Sequence, residues 1–473
     1  MAAKRARTEA AVSEVEGFGI DFLQFLKEAP THFHAASAAR RRFLEAGFLE
    51  LSELERWALV PGGKYFFRRN GSSIIAFTVG AAYRPENGFT VLAAHTDSPC
   101  LKIKPATCIA KSGCLMLNTQ PYGGGLWHTW FDRDLGVAGR ILVRGEDGVK
   151  PMDVLLSRPI ARIPNLAIHL TSGKERESFE PNLHEHAKAL LTCDPAVLQQ
   201  TPESKGSLTH RFLLQLVAEA AGVPAGDIVD TELQLVDCQP PDFGGVRNEF
   251  VLSGRLDNLC SCYQSIRALI ASTEDLGRQS TVCMAALFDH EEVGSGSHAG
   301  AGSSMFVDTL TLICESLCGD SRGALLRSLR RSFIVSTDMA HALHPNYPAK
   351  HDPSTAPVLG AGLVIKHNAN QRYATNSVSA AMLREAARLA GVGVQEFSVR
   401  SDMGCGSTIG PILATLSGAL TVDCGSPQLS MHSARECMAV ADVHSGYLVL
   451  KSVLVNQAAL TSSFLLGKEG SRP

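Results

Sequence analysis

The sequence predicts an α/β fold, a mixed and mostly parallel sheet between helices, interrupted by a β-rich segment. Three observations carry that expectation. From residue 246 onward strand and helix signals alternate, the pattern that lays helices on a parallel sheet. An apolar strand of the same kind, 89–95, already stands before residue 100. Between the two, residues 100–242 read as short β-like runs punctuated by glycine and proline. The simplest organisation is one α/β unit, 1–100 and 246–473, split by an insertion at 101–245. A chain of 473 residues is long enough for two or three structural domains and a large buried core.

In chain order, residues 1–13 are polar and lack the apolar core of a secretory signal. The first helix is expected over 20–28, where Ile20, Leu23 and Leu26 recur at helical spacing and Pro30 stops the run. A second helix runs through Phe43 to Gly47. Runs 64–67 and 74–79 flank Asn70-Gly71, the strongest short hairpin signal. Within the insertion, 137–143 and 153–156 read as strands, 171–185 as a polar mobile loop, 208–221 as a helix and 228–236 as an alternating strand. Pro240-Pro241-Asp242-Phe243-Gly244-Gly245 has the composition of a linker. Beyond it a helix follows Asp257. Strands are expected at 281–288 and 333–336, a helix at 378–390, strands at 394–399 and 419–422, and a terminal helix from about Ala441.

Composition narrows the function. Lys and Arg number 44 against 47 Asp and Glu, a formal charge of −3, so there is no global basic field for nucleic acid. No window holds the run of uncharged apolar residues that a membrane span needs. Thirteen cysteines, an odd number with no CxxC pair, fit reduced thiols in a cytoplasmic protein. GxSxG, the Walker lysine loop and HExxH are absent, and Gly404-Cys405-Gly406-Ser407-Thr408-Ile409-Gly410 has the wrong glycine spacing for a dinucleotide loop. Serine hydrolases, kinases and dehydrogenases are thereby disfavoured.

What remains is a set of carboxylates and imidazoles at the carboxyl ends of expected strands, where open α/β sheets hold their ligands. His95-Thr96-Asp97 ends one strand; there His95 can ligate a metal through one ring nitrogen while Asp97 orients the ring. Asp257 lies between a strand and a helix, where capping the helix is its competing role. Glu291 and Glu292 follow an apolar strand, and successive extended side chains diverge, so one can ligate while the other acts as general base. Asp338 ends a further strand, and His432 follows the one ending near Val422. Together they form a hard N/O set suited to zinc or a similar divalent ion.

In their order along the chain, His95-Thr96-Asp97-Ser98-Pro99, Arg255-Leu256-Asp257-Asn258, Asp289-His290-Glu291-Glu292-Val293-Gly294, Ser336-Thr337-Asp338-Met339-Ala340-His341 and Met431-His432-Ser433 resemble the motifs of aspartyl aminopeptidases, dinuclear zinc exopeptidases. The stretches 125–135 and 366–373 look like that family as well. The resemblance implies a metallopeptidase α/β/α sandwich with an oligomerisation insert, and hydrolysis of amino-terminal Asp or Glu from peptides. It implies two Zn²⁺ per subunit, replaceable by Mn²⁺ or Co²⁺, with Asp257 bridging, His95 and Asp338 on one ion, and Glu292 and His432 on the other. Glu291 would be the general base and Asp97 the residue orienting His95. Lys366 would hold the substrate's side-chain carboxylate, with His341 and Tyr373 contacting substrate. Through the same resemblance His169 reaches a neighbouring subunit's site, within a homo-oligomer expected to be a tetrahedral dodecamer. The alternatives within this chemistry are a zinc exopeptidase of other specificity or an acylamino-acid deacylase; outside it, a catalytically silent assembly protein. His184-Glu185-His186, the cysteines at 260, 262, 314 and 318, and Trp127 and Trp130 read as structural.

Overall fold

The computed structural model describes residues 2–199, 209–319 and 321–464. Its central feature is a nine-stranded sheet. In spatial order the strands are Leu49–Glu50, Lys64–Arg69, Ser73–Val79, Val282–Phe288, Phe89–His95, Phe333–Thr337, Leu420–Gly425, Leu363–His367 and Val394–Ser398. Phe89–His95 runs parallel to both of its neighbours, and antiparallel pairs occur towards the two margins, so the sheet is mixed and mostly parallel.

The three strands Ser73–Val79, Val282–Phe288 and Phe89–His95 are buried along their whole length, as expected for a sheet covered on both faces. Alternation within them divides the core. Leu92, Ala94, Cys283 and Ala285 pack with the helices Leu256–Ser272, Ser377–Ala390 and Val440–Val455. Val91, Ala93, Met284 and Ala286 face the helices Met305–Cys318, Ser321–Leu329 and Ile409–Ser417 on the opposite side. The result is the α/β/α sandwich. Asn70 and Gly71 both take positive φ, 57° and 67°, the twist that a two-residue hairpin requires.

A second sheet of six antiparallel strands is built from Cys100–Lys111, Cys114–Tyr122, Leu135–Gly145, Gly148–Ala161, Ala189–Thr192 and Ile228–Asp237. The helix Arg211–Ala221 covers it through Leu213 and Val217. No described helix is long and apolar enough to cross a membrane.

Several elements differ from expectation. The first helix spans Ala2–Glu28, because good helix formers extend it ahead of Ile20. The 171–185 segment is partly helical: Ser172 and Glu175 form a reciprocal capping box at Gly173–Glu177, and Asn182 caps Leu183–His186. The helix expected over 208–221 begins at Arg211, and Leu208 lies outside the described residues. The presumed linker contains the strand Asp242–Gly244, which joins Phe250–Ser253, Glu436–Ala439, Pro427–Leu429 and Ala340–His341 in a third sheet. Leu363–His367 went unrecognised as a strand.

Candidate active site

Register brings the first candidate ligands together. Phe288 pairs with His95 and Ser336 with Ala93 across parallel ladders, so three neighbouring strands end at the same edge. Beyond them the chain presents His95 and Asp97, then Glu291 and Glu292, then Asp338. The Glu291–Val293 turn is bracketed by His290 and Gly294 in left-handed conformations, which fold it back over the edge. Asp257 enters from the start of the Leu256–Ser272 helix, where the Asp257–Asn258 peptide is cis and both residues depart from helical geometry. His432 enters from a turn beside the third sheet.

These side chains converge. Oδ1 of Asp257 is 3.4 Å from Nε2 of His95, and its Oδ2 is 3.4 Å from Nε2 of His432. Asp338 Oδ1 lies 3.7 Å and Glu291 Oε2 4.0 Å from the same His95 nitrogen, while Glu292 Oε1 is 3.3 Å from that of His432. Thus Asp257 stands between two histidines, each with its own further carboxylates. The other ring nitrogens have backbone acceptors: His95 Nδ1 is 3.1 Å from the Asp97 carbonyl, and His432 Nδ1 is 2.6 Å from the Gly124 carbonyl. A carbonyl only accepts, so both Nδ1 atoms carry hydrogen and both Nε2 atoms face the carboxylates.

The cluster has the electrostatics of a cation site. Burial alone would lower the His432 ring, but the adjacent Asp257 and Glu292 carboxylates push it up to about 11; His95 is raised well above its ordinary value by Asp257, Asp338 and Asp97 against the same burial. Burial, with carboxylates close by, pushes Glu291 up to about 8 and Glu292 up to about 7. Positive charge is therefore favoured where the two Nε2 atoms point. Oδ1 of Asp257 and Oε1 of Glu292 are buried without a hydrogen-bond donor, a costly arrangement unless something else binds them. Ligand atoms of His95, Asp257 and Glu292 lie within 4.8 Å of one another. This donor set, imidazole nitrogen with carboxylate oxygen, fits zinc.

Behind these residues lies a supporting layer. Asp97 is fully buried and accepts hydrogen bonds from the Tyr122 hydroxyl at 2.6 Å and from the backbone N–H groups of Glu291 and Glu292, each at 3.1 Å. Burial works against its charge, but His95 and Tyr122 hold it down to about 2. Glu436 was not anticipated. One of its oxygens accepts the Asp257 N–H at 3.2 Å and the other the His432 N–H at 2.8 Å. A lone acidic residue opening the otherwise apolar strand Glu436–Ala439 was the available signal. Tyr122 and Gly124 were also missed, although Tyr122-Gly123-Gly124-Gly125 marks a close approach: a Cβ on Gly123 would meet that of Glu292 at 3.1 Å.

An open cleft of about 600 Å³ exposes the cluster. Lys366, His341 and Tyr373 line it together with Gly406, Ser407 and Thr408. The Lys366 ammonium is buried, 5.4 Å from the Tyr373 ring centre, and its 3.9 Å separation from Asp338 Oδ2 is too long for a hydrogen bond. A cation without a hydrogen-bonded carboxylate partner therefore waits in the wall. His169 is not brought into this cleft. It sits on the exposed turn Ile168–Leu170, beside the exposed Leu166, Ile168 and Leu170.

The family model for aminopeptidase I zinc metalloproteases (M18) matches residues 25–453. A probable aspartyl aminopeptidase of Ricinus communis is 47% identical, the alignment covering 95% of this chain and 98% of that protein. Aspartyl aminopeptidase 1 of Schizosaccharomyces pombe is 42% identical, with 94% and 96% covered. Among solved structures, Ape4 in its complex with Nbr1 superposes with a TM-score of 0.92 at 41% identity, covering 95% of this chain and 88% of that one. The mApe1 dodecamer of Saccharomyces cerevisiae gives 0.82 at 28% identity, with 94% and 98% covered. Fold, convergent ligands and near-complete alignment agree, and the chain belongs to the aminopeptidase I zinc metalloprotease (M18) family.

Proposed function

We propose that this protein is an aspartyl aminopeptidase that removes amino-terminal Asp or Glu from peptides with two zinc ions per subunit. The observation that supports the dinuclear reading best is Asp257, whose two oxygens each face a different histidine at 3.4 Å. His95 and Asp338 would hold one ion, Glu292 and His432 the other, with Asp257 shared. Bound zinc would supply Lewis acidity at the scissile carbonyl and acidify water at the site.

The chain's own residues do the remaining work. Glu291, on the cleft side of the cluster, takes a proton from water and returns it to the departing amine. Asp97 keeps the His95 ring oriented and ties down the Glu291 and Glu292 backbone. Lys366 selects the side-chain carboxylate of the first residue, a strong discrimination because its charge is buried. His341 and Tyr373 bound the same pocket.

The division at 101–245 is read as an assembly insert, with His169 contributed across a subunit interface in a dodecamer. Exposed Leu166, Ile168 and Leu170 around His169 support that reading. None of the thirteen cysteines forms a disulfide, which fits the cytoplasmic setting expected from the sequence.

The test compares turnover of peptides beginning with Asp, Glu, Leu and N-acetyl-Asp, before and after chelation and zinc readdition. Preference for Asp and Glu, lost on chelation and restored by about two zinc equivalents, is expected. Faster cleavage of the Leu peptide would refute acidic specificity.

A further inference from the structure

Six of the thirteen cysteines are shut in the core. Cys100, Cys260, Cys262, Cys283, Cys314 and Cys424 are buried. Burial pushes the Cys100 and Cys262 thiols up to about 12, which keeps them protonated and unreactive. Cys114 and Cys193 differ in exposure and in being paired with each other. Cys114 opens the strand Cys114–Tyr122, and Cys193 directly follows the strand Ala189–Thr192. Leu115 and Thr192 are cross-strand partners, so the antiparallel ladder places the two cysteines opposite each other at its next step.

Their sulfurs are 2.8 Å apart, and either thiol can donate to the other. Cys193 is exposed and Cys114 partly so. Directly opposed strand positions bring Cβ atoms to about 4.5–5.5 Å, and a disulfide needs about 3.5–4.5 Å. A small movement at a sheet edge covers that difference. No other pair of described thiols shares a hydrogen bond.

We propose that Cys114 and Cys193 form a two-electron redox site, a dithiol that closes to a disulfide on meeting a hydroperoxide and reopens with thiol reductants. The exposed Cys193 sulfur, as thiolate, attacks the terminal peroxide oxygen; the O–O bond breaks, the leaving oxygen takes up the proton that Cys193 gave up, and Cys193 becomes a sulfenic acid. The Cys114 sulfur then attacks the Cys193 sulfur. The S–O bond breaks, and hydroxide leaves as water with the Cys114 proton. In sum two thiols lose two electrons and two protons, and the peroxide is reduced to water and an alcohol, or to two waters from hydrogen peroxide. The bond would clasp the edge strand Ala189–Thr192 to the six-stranded sheet and close a loop containing the exposed 168–170 turn. The clasp lies at the opposite end of the Cys114–Tyr122 strand from Tyr122, away from the zinc ligands.

The experiment treats the full-length assembled protein with hydrogen peroxide, blocks free thiols with an alkylating agent, and digests it without reductant for mass spectrometry. A cross-linked peptide joining Cys114 to Cys193, two hydrogen masses lighter than its parts and released by dithiothreitol, is expected. It should be absent from the Cys114→Ser and Cys193→Ser variants. In Cys114→Ser, Cys193 should stop at the sulfenic acid and be trapped by dimedone, a signal that a merely misfolded protein would not give at this one residue. Both cysteines remaining fully alkylated after peroxide would overturn the proposal. So would Cys193 advancing to sulfinic acid in the parent protein without a cross-link.

Discussion

The phenol of Tyr122 donates a 2.6 Å hydrogen bond to Oδ2 of Asp97, so a side chain of the six-stranded sheet ends in the buried layer beneath the proposed zinc ligands. The same oxygen accepts the Glu292 N–H. Replacing Tyr122 by Phe removes only the donor and leaves a buried carboxylate under-satisfied. A hydrogen bond to a charged group is worth about 1.5–3 kcal/mol, and outer-layer partners of metal ligands typically carry about 10–100-fold in metal affinity. Tyr122→Phe should therefore weaken zinc binding by about tenfold or more, measured by competition with a chromogenic chelator. Unchanged affinity would show that Asp97 needs no support from that sheet.

Glu436 offers a sharper test because both its oxygens are used, one on the Asp257 N–H and one on the His432 N–H. In Glu436→Gln one of those N–H groups must face an amide NH₂ instead of an acceptor. Zinc affinity is expected to fall about 10–100-fold while circular dichroism stays native. Glu436→Asp, one methylene shorter, cannot span both donors and should not rescue. Full rescue by Asp would mean that charge alone matters there.

Lys366→Met keeps the apolar stem and deletes the charge. Loss of a charge-assisted bond, about 1.5–3 kcal/mol, predicts a fall of about 10–100-fold in kcat/KM for an amino-terminal Asp peptide. The Leu peptide should change much less. An equal loss on both peptides would assign Lys366 to packing or to the Asp338 side.

Away from the proposed zinc ligands, Asp442 is expected to give a pH response. Burial pushes its carboxyl up to about 6 from an ordinary 3.8, even though it accepts the backbone N–H groups of Gly360 and Gly362 at 2.7 and 2.8 Å. A folded-state value above the unfolded one means that the native protein holds the proton more tightly. Its stabilising effect is complete below about pH 4 and is lost as pH rises to about 6, at most about 3 kcal/mol. Asp442→Asn cannot ionise. Its melting temperature relative to the parent should therefore climb between pH 4.5 and 6.5; a pH-independent difference would refute the assignment.

Four of the proposed ligand and base residues stood out in the sequence because they follow an apolar run near the end of a strand: His95 after Val91-Leu92-Ala93-Ala94, Glu291 and Glu292 after Ala285-Ala286-Leu287-Phe288, Asp338 after Ile334-Val335. Lys366 obeys no such rule. Its strand, Leu363–His367, pairs antiparallel with Leu420–Gly425, so its carboxyl end runs opposite to those of the strands that carry His95 and Asp338. Only the family resemblance singled it out. Glu436 and Tyr122 act through contacts with residues distant in the chain, at separations of 179 and 25, and no local pattern records those. The helix starting at Ala2 was missed for the opposite reason: its first turns carry propensity without apolar periodicity.

The strand order has a consequence for biosynthesis. Phe89–His95 lies between Val282–Phe288 and Phe333–Thr337, so the first histidine of the proposed zinc site leaves the ribosome long before either flanking strand exists. The six-stranded sheet, by contrast, is wholly encoded within 100–237 and can pair as it emerges. At about 5–20 residues per second, His95 waits tens of seconds for His432. While the central sheet is half made its edges are exposed and a nascent chain needs chaperone cover, and the proposed zinc site is complete only once translation is nearly finished.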